Sequence, residues 1–459
     1  MTAIISRRIA VPLLLAALLL LLVPAATTLA QQPAAPAAPS AAAPATPAAG
    51  PSTPAPLLDR GDTAWMLLST VLVLFMTIPG LALFYGGMVR KKNVLATMMQ
   101  SFAITCLVSV LWLVAGYSLA FTGDGALLGG MGRALLRGIG VTTLAPLAPT
   151  IPETVYVMFQ LTFAVITPAV FVGAYADRIK FSALLWFVSL WLMLVYVPVT
   201  HWIWGGGFLA KWGVLDFAGG TVVEINSGIA GLVGAMVLGH RRGYGNEHMA
   251  PHNLTLSVVG ASMLWVGWFG FNAGSAVAAD GRAGMAMLAT HMASAGAALS
   301  WMAAEWLLRG KPSVLGIISG AVAGLVAITP ACGFVDAGAG LIIGLIAGVA
   351  CFWAVTSLKR WGNYDDSLDV FGVHGIGGIL GMLLTGVFAA KEVGGTAGLL
   401  EGNPNQFLLQ SAAVLITMAW CGAVSFAILK AIDLAHGLRV GKEEEIEGLD
   451  ISQHGEAVP

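Results

Sequence analysis

Val223-Glu224-Ile225-Asn226-Ser227-Gly228-Ile229-Ala230-Gly231 has a second version further along the chain, Val373-His374-Gly375-Ile376-Gly377-Gly378-Ile379-Leu380-Gly381. Valine, two glycines and an isoleucine recur at matched offsets around one ionisable residue. Each copy sits in a long apolar run, the first in the fifth such run and the second in the tenth. Five runs separate the copies, so in a membrane they point in opposite directions. That is the signature of an inverted repeat, which places a binding site where the two halves meet.

Working outward from the repeat, apolar runs bounded by breakers cover 63–88, 93–121, 153–176, 180–200, 219–239, 254–278, 284–308, 313–330, 336–357, 369–389 and 406–432. About 20 apolar residues in a helix cross the hydrocarbon layer, and a helix satisfies its own backbone there. A spanning β-barrel needs short alternating segments, which these runs are not. The expected fold is an all-α membrane protein of eleven transmembrane helices: two inverted five-helix repeats and one final helix. Composition agrees, with 58% hydrophobic and 10% charged residues among 459, against about 25% charged in a soluble domain. The 58 glycines suit close helix packing in lipid. A net charge of −1 gives no reason to expect nucleic acid as a partner. Cys106, Cys332, Cys351 and Cys421 are scattered without metal-ligand spacing and read as buried packing. No metal or other cofactor is expected.

Sorting Lys and Arg by alternating side gives 14 on one face and 6 on the other. The richer face holds, among others, Arg90, Lys91, Lys92, Arg241 and Arg242, and by the positive-inside rule it is cytoplasmic. The N-terminus is then outside and the C-terminus inside, which an odd number of spans requires. At the N-terminus, Arg7 and Arg8 precede an apolar stretch from Ile9 to Val23 and then Thr28-Leu29-Ala30. This is a signal-peptide layout over residues 1–30, with cleavage expected after Ala30; an uncleaved anchor helix is the rival reading. Residues 31–57 are nearly all Ala, Pro, Ser, Gln and Thr and read as a disordered linker. The transporter domain is expected over 58–432, followed by a charged tail over 433–459.

Ionisable groups inside spans are costly and are functional candidates by default. Glu224 and His374 are the deepest, and an inverted two-fold brings both to the midplane, where they could share a proton. The alternative is two independent, satisfied helix contacts. Asp216 precedes span 5 and Asp369 opens span 10; each reads as a helix-start residue, and Asp216 equally as a group that stabilises a cation. Glu305 lies between Trp301 and Trp306 and reads as interfacial or interhelical. Trp202 and Trp204 end span 4 before Gly205-Gly206-Gly207, where a membrane-interface role is ordinary. Phe159 and Phe163 are one turn apart in span 3, and Trp265, Trp268, Phe269 and Phe271 cluster in span 6 ahead of Ser275. Most such rings pack or face lipid. An aromatic face also offers a cation about 0.5–2 kcal/mol, and a serine hydroxyl adds an acceptor.

Six stretches together resemble the ammonium transporter / methylammonium permease / Rhesus family over about residues 60–457. They are Phe159-Gln160-Leu161-Thr162-Phe163-Ala164, Gly173-Ala174-Tyr175-Ala176-Asp177-Arg178, Trp204-Gly205-Gly206-Gly207, Asp216 to Val223 (DFAGGTVV), Gly267 to Ser275 (GWFGFNAGS) and Asp369 to Gly375 (DVFGVHG). The resemblance implies a homotrimer of eleven-helix protomers in the cytoplasmic (inner) membrane, each with its own pore, and a transporter rather than an enzyme. It implies that Phe163, Trp204 and Ser275 form an outer recruitment site for ammonium or methylammonium, backed by Asp216. Ammonium can use both rings and hydroxyl because it donates four hydrogen bonds; K⁺ donates none. Phe163 and Phe271 would stack as a gate, and two facing residues, normally both histidines, would relay substrate or proton. His374 matches the second; the first is Glu224 here, as in some fungal members, which implies net charge movement and weaker rejection of K⁺. The tail, from Gly437-Leu438-Arg439-Val440 through Glu443-Glu444-Glu445 to His454-Gly455-Glu456, resembles one that packs on the cytoplasmic face and in prokaryotic members binds a PII-type nitrogen signal protein. Rival readings are an ammonium sensor with little flux, a general cation or gas channel, and an intramembrane hydrolase using Ser275 and His374. The last lacks a nucleophile-elbow pattern around Ser275.

Overall fold

A computed structural model describes residues 58–459. The signal peptide expected over 1–30 and the linker over 31–57 lie outside the described residues. Eleven helical segments follow in order: α1 Arg60–Met88, α2 Lys91–Phe121, α3 Glu153–Tyr175, α4 Phe181–Trp212, α5 Gly220–Leu238 and α6 Leu254–Gly274, α7 Gly281–Arg309, α8 Val314–Ile328, then α9 Ala337–Gly362, α10 Phe371–Phe388 and α11 Pro404–His436. Each overlaps an apolar run expected from the sequence. Nine of them, among the described residues, are long and apolar enough to cross a membrane. The other two are α7, whose 29 residues include Arg282, Glu305 and Arg309, and α8, which is apolar but has 15 residues. At 1.5 Å per residue α8 spans about 22 Å. Residues 329–335, which continue it, are irregular but wholly buried, the one setting in which non-helical backbone is tolerated at membrane depth.

Local chemistry starts these helices where they start. Asp59, Asn253, Asp280, Ser313 and Asp336 each accept a main-chain N–H in the first turn of α1, α6, α7, α8 and α9, at 2.7–3.2 Å. Such a cap satisfies one of four orphan donors and contributes about 1 kcal/mol. Glu305 proves interhelical: it is buried on α7 and accepts from the Ser313 N–H (3.0 Å) and hydroxyl (2.9 Å) at the start of α8. The α2–α3 connection carries a small antiparallel hairpin, β1 Leu144–Ala145 and β2 Ala148–Pro152.

The two repeat segments keep their likeness in three dimensions. Both α5 and α10 open with a π-helical turn, Gly220–Ile225 and Phe371–Gly375, followed by 13 residues of regular α-helix. The helices cross in contact at Gly228 and Gly375: a Cβ on Gly228 would overlap the Gly375 backbone. Small residues here let the two backbones meet at the centre of the bundle.

Beyond α11 the chain turns back over the helix ends opposite Trp204. Lys180 N donates to Leu438 O (2.9 Å) and Val440 N to Arg178 O (3.1 Å). Two short helices follow, α12 Lys442–Glu447 and α13 Leu449–His454. Glu445 is buried and accepts from Arg439 (2.8 Å) and from the Arg242 N–H (2.8 Å). Asp450 accepts from the Ala96 N–H (2.8 Å) in α2. The tail is therefore packed on this face rather than solvated.

Candidate functional site

The turn before α5 is organised by Asp216. Its Oδ1 accepts from the Gly219 and Gly220 N–H groups (2.8 and 2.6 Å), and its Oδ2 from the Thr221 N–H (2.7 Å) and the Thr221 hydroxyl. Gly219 sits at φ 121°, a region that favours glycine. Of the two readings of Asp216, capping is what its side chain does. Its main-chain oxygen holds a second residue: Trp204 Nε1 donates to Asp216 O at 2.9 Å.

Trp204 then meets the aromatics of α3 and α6. Its ring stands edge-on to Phe163 (5.6 Å between centroids, 87°), and Phe163 tilts against Phe271 at 4.3 Å and 35°. Phe159 backs Phe163 at 4.9 Å. Phe163 and Phe271 are fully buried, so the pair closes the space beneath Trp204. Ser275 ends α6 one turn beyond Phe271, and its hydroxyl donates to Phe271 O (2.8 Å), which leaves the oxygen lone pairs free to accept. Trp265 and Phe269 face His291 instead and stand outside this stack.

Below the rings lies a narrow apolar cavity whose walls include Phe271, Trp268, Ile166, Val223, Glu224 and His374. Trp268 is fixed by Nε1 donating to the Thr329 hydroxyl (2.9 Å). Glu224 and His374 meet here: Glu224 Oε2 lies 2.7 Å from His374 Nδ1, and both side chains are buried. The reading of two independent helix contacts is excluded by that bond. The pair can hold one proton between two acceptors, and each partner keeps an edge on the cavity. His374 also lines a second cavity on the other side, together with Tyr85, Ser319 and Asp369. With Phe84 and Val322, which also line both, it stands between the two spaces.

One helix-start expectation is corrected. Asp369 does not cap α10 with its side chain. It adopts φ 61° and pairs with Lys359 Nζ at 2.8 Å. The cap is Asp366, whose Oδ2 accepts from the Phe371 N–H at 2.7 Å. The sequence carried the signal: Asp366 precedes His374 by eight residues, as Asp216 precedes Glu224. The bonded N–H lies five residues on in both halves. The repeat extends further upstream than its glycine pattern indicates.

Comparison with known proteins agrees along nearly the whole described chain. The family model "Ammonium Transporter Family" matches residues 64–458. An ammonium transporter of Aquifex aeolicus is 51% identical over 87% of this chain and 93% of its own length. One of Bacillus subtilis is 48% identical over 87% and 98%. Among solved structures, Saccharomyces cerevisiae Mep2 superposes with a TM-score of 0.79 at 33% identity, covering 84% of this chain and 89% of its own. A structure titled "Sensor Amt Protein" superposes with a TM-score of 0.80 at 25% identity, covering 86% and 98%.

Proposed function

Because the chain belongs to the ammonium transporter family, we propose that it carries ammonium, with methylammonium as analogue, across the cytoplasmic membrane into the cell. The observation that carries this reading is the buried Glu224–His374 pair beneath the Phe163–Phe271 stack. Trp204, Phe163 and Ser275 recruit the cation at the outer mouth, by ring faces and a hydroxyl oxygen. Asp216 acts from behind by holding Trp204 and the α5 start rigid. Rings 4.3 Å apart leave no room for a hydrated ion, so the Phe163–Phe271 gate must open and the ion shed its water. Desolvation is costly for any cation, and the rings and the first relay residue repay it best for an ion that donates hydrogen bonds.

The relay distinguishes this chain. Two imidazoles make a polar relay with no fixed charge, whereas Glu224 adds a carboxylate that can accept a whole cation or its proton. Net charge therefore moves with ammonium, and K⁺ is rejected less strictly than in a twin-histidine pore. Solid-supported-membrane currents from purified protein in liposomes test this. Wild type is expected to give an ammonium-evoked current and measurable competition by K⁺, and Glu224→His to lose much of both. Absence of current in wild type, or identical K⁺ exclusion in the two proteins, would sink the relay assignment.

The protomer is assigned to an inner-membrane homotrimer, with the N-terminus outside and the tail cytoplasmic. The ordered tail and the loops at Arg242 and Asn93 form the surface on which a PII-type signal protein would dock. A second reading, a sensor with little flux, draws support from the fold match to a protein titled as a sensor. Uptake of labelled methylammonium in a transport-deficient host separates the two: robust uptake excludes the sensor.

A further inference from the structure

His201 lies three residues before Trp204 and is fully buried. Both of its ring nitrogens face main-chain carbonyl oxygens of the α2–α3 segment. Nδ1 is 2.8 Å from Ala120 O and Nε2 is 2.6 Å from Gly125 O. A neutral imidazole has one donor and one acceptor; the imidazolium has two donors. Carbonyl oxygens donate nothing, so a neutral ring would set two lone pairs against each other at one of these contacts. The imidazolium donates to both carbonyls through charge-assisted hydrogen bonds.

Among the described residues, no other proton acceptor bonds the ring. The titratable or charged side chains on the elements packed against it are Tyr117, Tyr196, Lys211, Glu224 and, on the loop, Asp124. None is a hydrogen-bond partner of the imidazole. Lys211 Nζ itself points to the Asp124 carbonyl at 3.3 Å.

The ring is also pressed against the turn that carries Trp204. His201 O accepts from the Gly205 N–H (3.1 Å) and the Gly207 N–H (2.9 Å). A Cβ on Gly205 would overlap both Ala120 O and His201 Nδ1. Flanking stitches run the same way, from Trp202 Nε1 to Leu127 O (2.8 Å) and from Phe208 N to Ala126 O (3.1 Å). We propose that His201 is a doubly protonated clamp that ties the Ala120–Gly125 segment to the Trp204 turn, and so acts as a positioning residue for cation recruitment. A ring with a single N–H would turn one of the two hydrogen bonds into a repulsion and loosen the turn.

This inference rests on the transport reading, and its test separates the two. Full-length protein with ¹⁵N-labelled histidine is reconstituted in lipid, and the His201 signals are assigned by their loss in His201→Asn. Two protonated ring nitrogens are expected at pH 7. Methylammonium uptake is followed in parallel. His201→Gln and His201→Asn cannot donate to both carbonyls as an imidazolium does, and should raise the apparent KM about tenfold, the cost of one lost charge-assisted bond, while the maximal rate holds. A single protonated nitrogen at pH 7 overturns the clamp whether or not the protein transports. So does an unchanged KM in a variant that folds. A wild type without uptake overturns the transport reading instead, and the nitrogen spectrum still decides the charge of His201.

Discussion

At the start of α5, the two oxygens of Asp216 accept four hydrogen bonds between them, two each. At the start of α10, Asp366 stands at the matching position, its Oδ2 accepts from Phe371 N–H, and its buried Oδ1 has no hydrogen-bond partner among the described residues. Each acid precedes its relay residue by eight positions, and each helix opens with a π-helical turn. The scaffold is shared and the finish is not. One half ends in a carboxylate, Glu224, the other in an imidazole, His374. The ends of the bundle diverge likewise. Around Trp204 the fastening is to main-chain carbonyls. Around Asp366 it is ionic: Arg241 with Asp365 (2.7 Å) and Asp177 (3.6 Å), Arg90 with Asp177 (2.9 Å), and Arg439 with Glu445 (2.8 Å). A two-fold repeat thus supplies position, and sequence divergence within it supplies direction.

The sharpest way to break this comparison is to make the same isosteric change on both sides. In Asp216→Asn the better-placed amide puts its NH₂ on the Oδ2 side, where the Thr221 hydroxyl can turn to accept from it and the Thr221 N–H loses its acceptor. One orphaned buried donor costs about 1–3 kcal/mol and the remaining bonds lose their charge assistance, so destabilisation on the order of 3 kcal/mol is expected. Trp204 should loosen with it, because its anchor is the carbonyl of the same residue. Thermal unfolding of the purified protein and methylammonium uptake read both effects. An Asp216→Asn protein as stable and active as wild type would remove the rigid-mount account of Asp216.

The ionic end should be the one that acid loosens. Burial by itself would raise the Asp365 carboxyl, but hydrogen bonds and charge from Arg241, with the charge of Arg178, outweigh it and hold the group below the usual carboxylate range. A folded-state value below the unfolded one means the stabilisation is complete above the ordinary carboxylate value, about 3.9. It is lost as pH falls through the depressed value. Asp365→Asn removes one member of a buried pair, at a cost of about 3 kcal/mol. The variant's unfolding temperature should sit below wild type at pH 7 and converge toward it in acid. A constant gap from pH 7 to pH 3 would mean that the contact contributes by shape rather than charge.

How far the sequence foretold this depends on the range of each contact. The spans were legible because an apolar run of 20 residues has few alternatives, and the Glu224–His374 contact was legible because the repeat predicts it. The cap of α10 was misassigned to Asp369, the acid beside the apolar run. Asp366 reaches its N–H across a buried loop, and Asp369 turns away to Lys359. The tail was legible as charged but not as docked: Glu445 meets Arg242 across 203 residues and Asp450 meets Ala96 across 354. No local pattern encodes such partners. Nothing local marks His201, because its two carbonyl partners lie 76 and 81 residues away in the chain.

The smallest expected effect is the most discriminating. Asp366→Asn can keep its amide oxygen on the Phe371 N–H and turn its NH₂ toward the side where Oδ1 has no hydrogen-bond partner among the described residues. The Val370 N–H, which also approaches the Asp366 carboxylate, is the one donor among them that the new NH₂ would meet. The side chain also sheds a buried charge, and with it the attraction of Lys359, which approaches the Asp366 main-chain oxygen and pairs with Asp369. These terms oppose each other, so stability should change by no more than about 1 kcal/mol, against a loss several times larger for Asp216→Asn. The ratio of the two unfolding shifts is the quantity to measure. If Asp366→Asn is as damaging as its counterpart, Oδ1 accepts a hydrogen bond in the membrane from a water or from the transported ion. The two halves would then be alike in capping and differ at the relay alone.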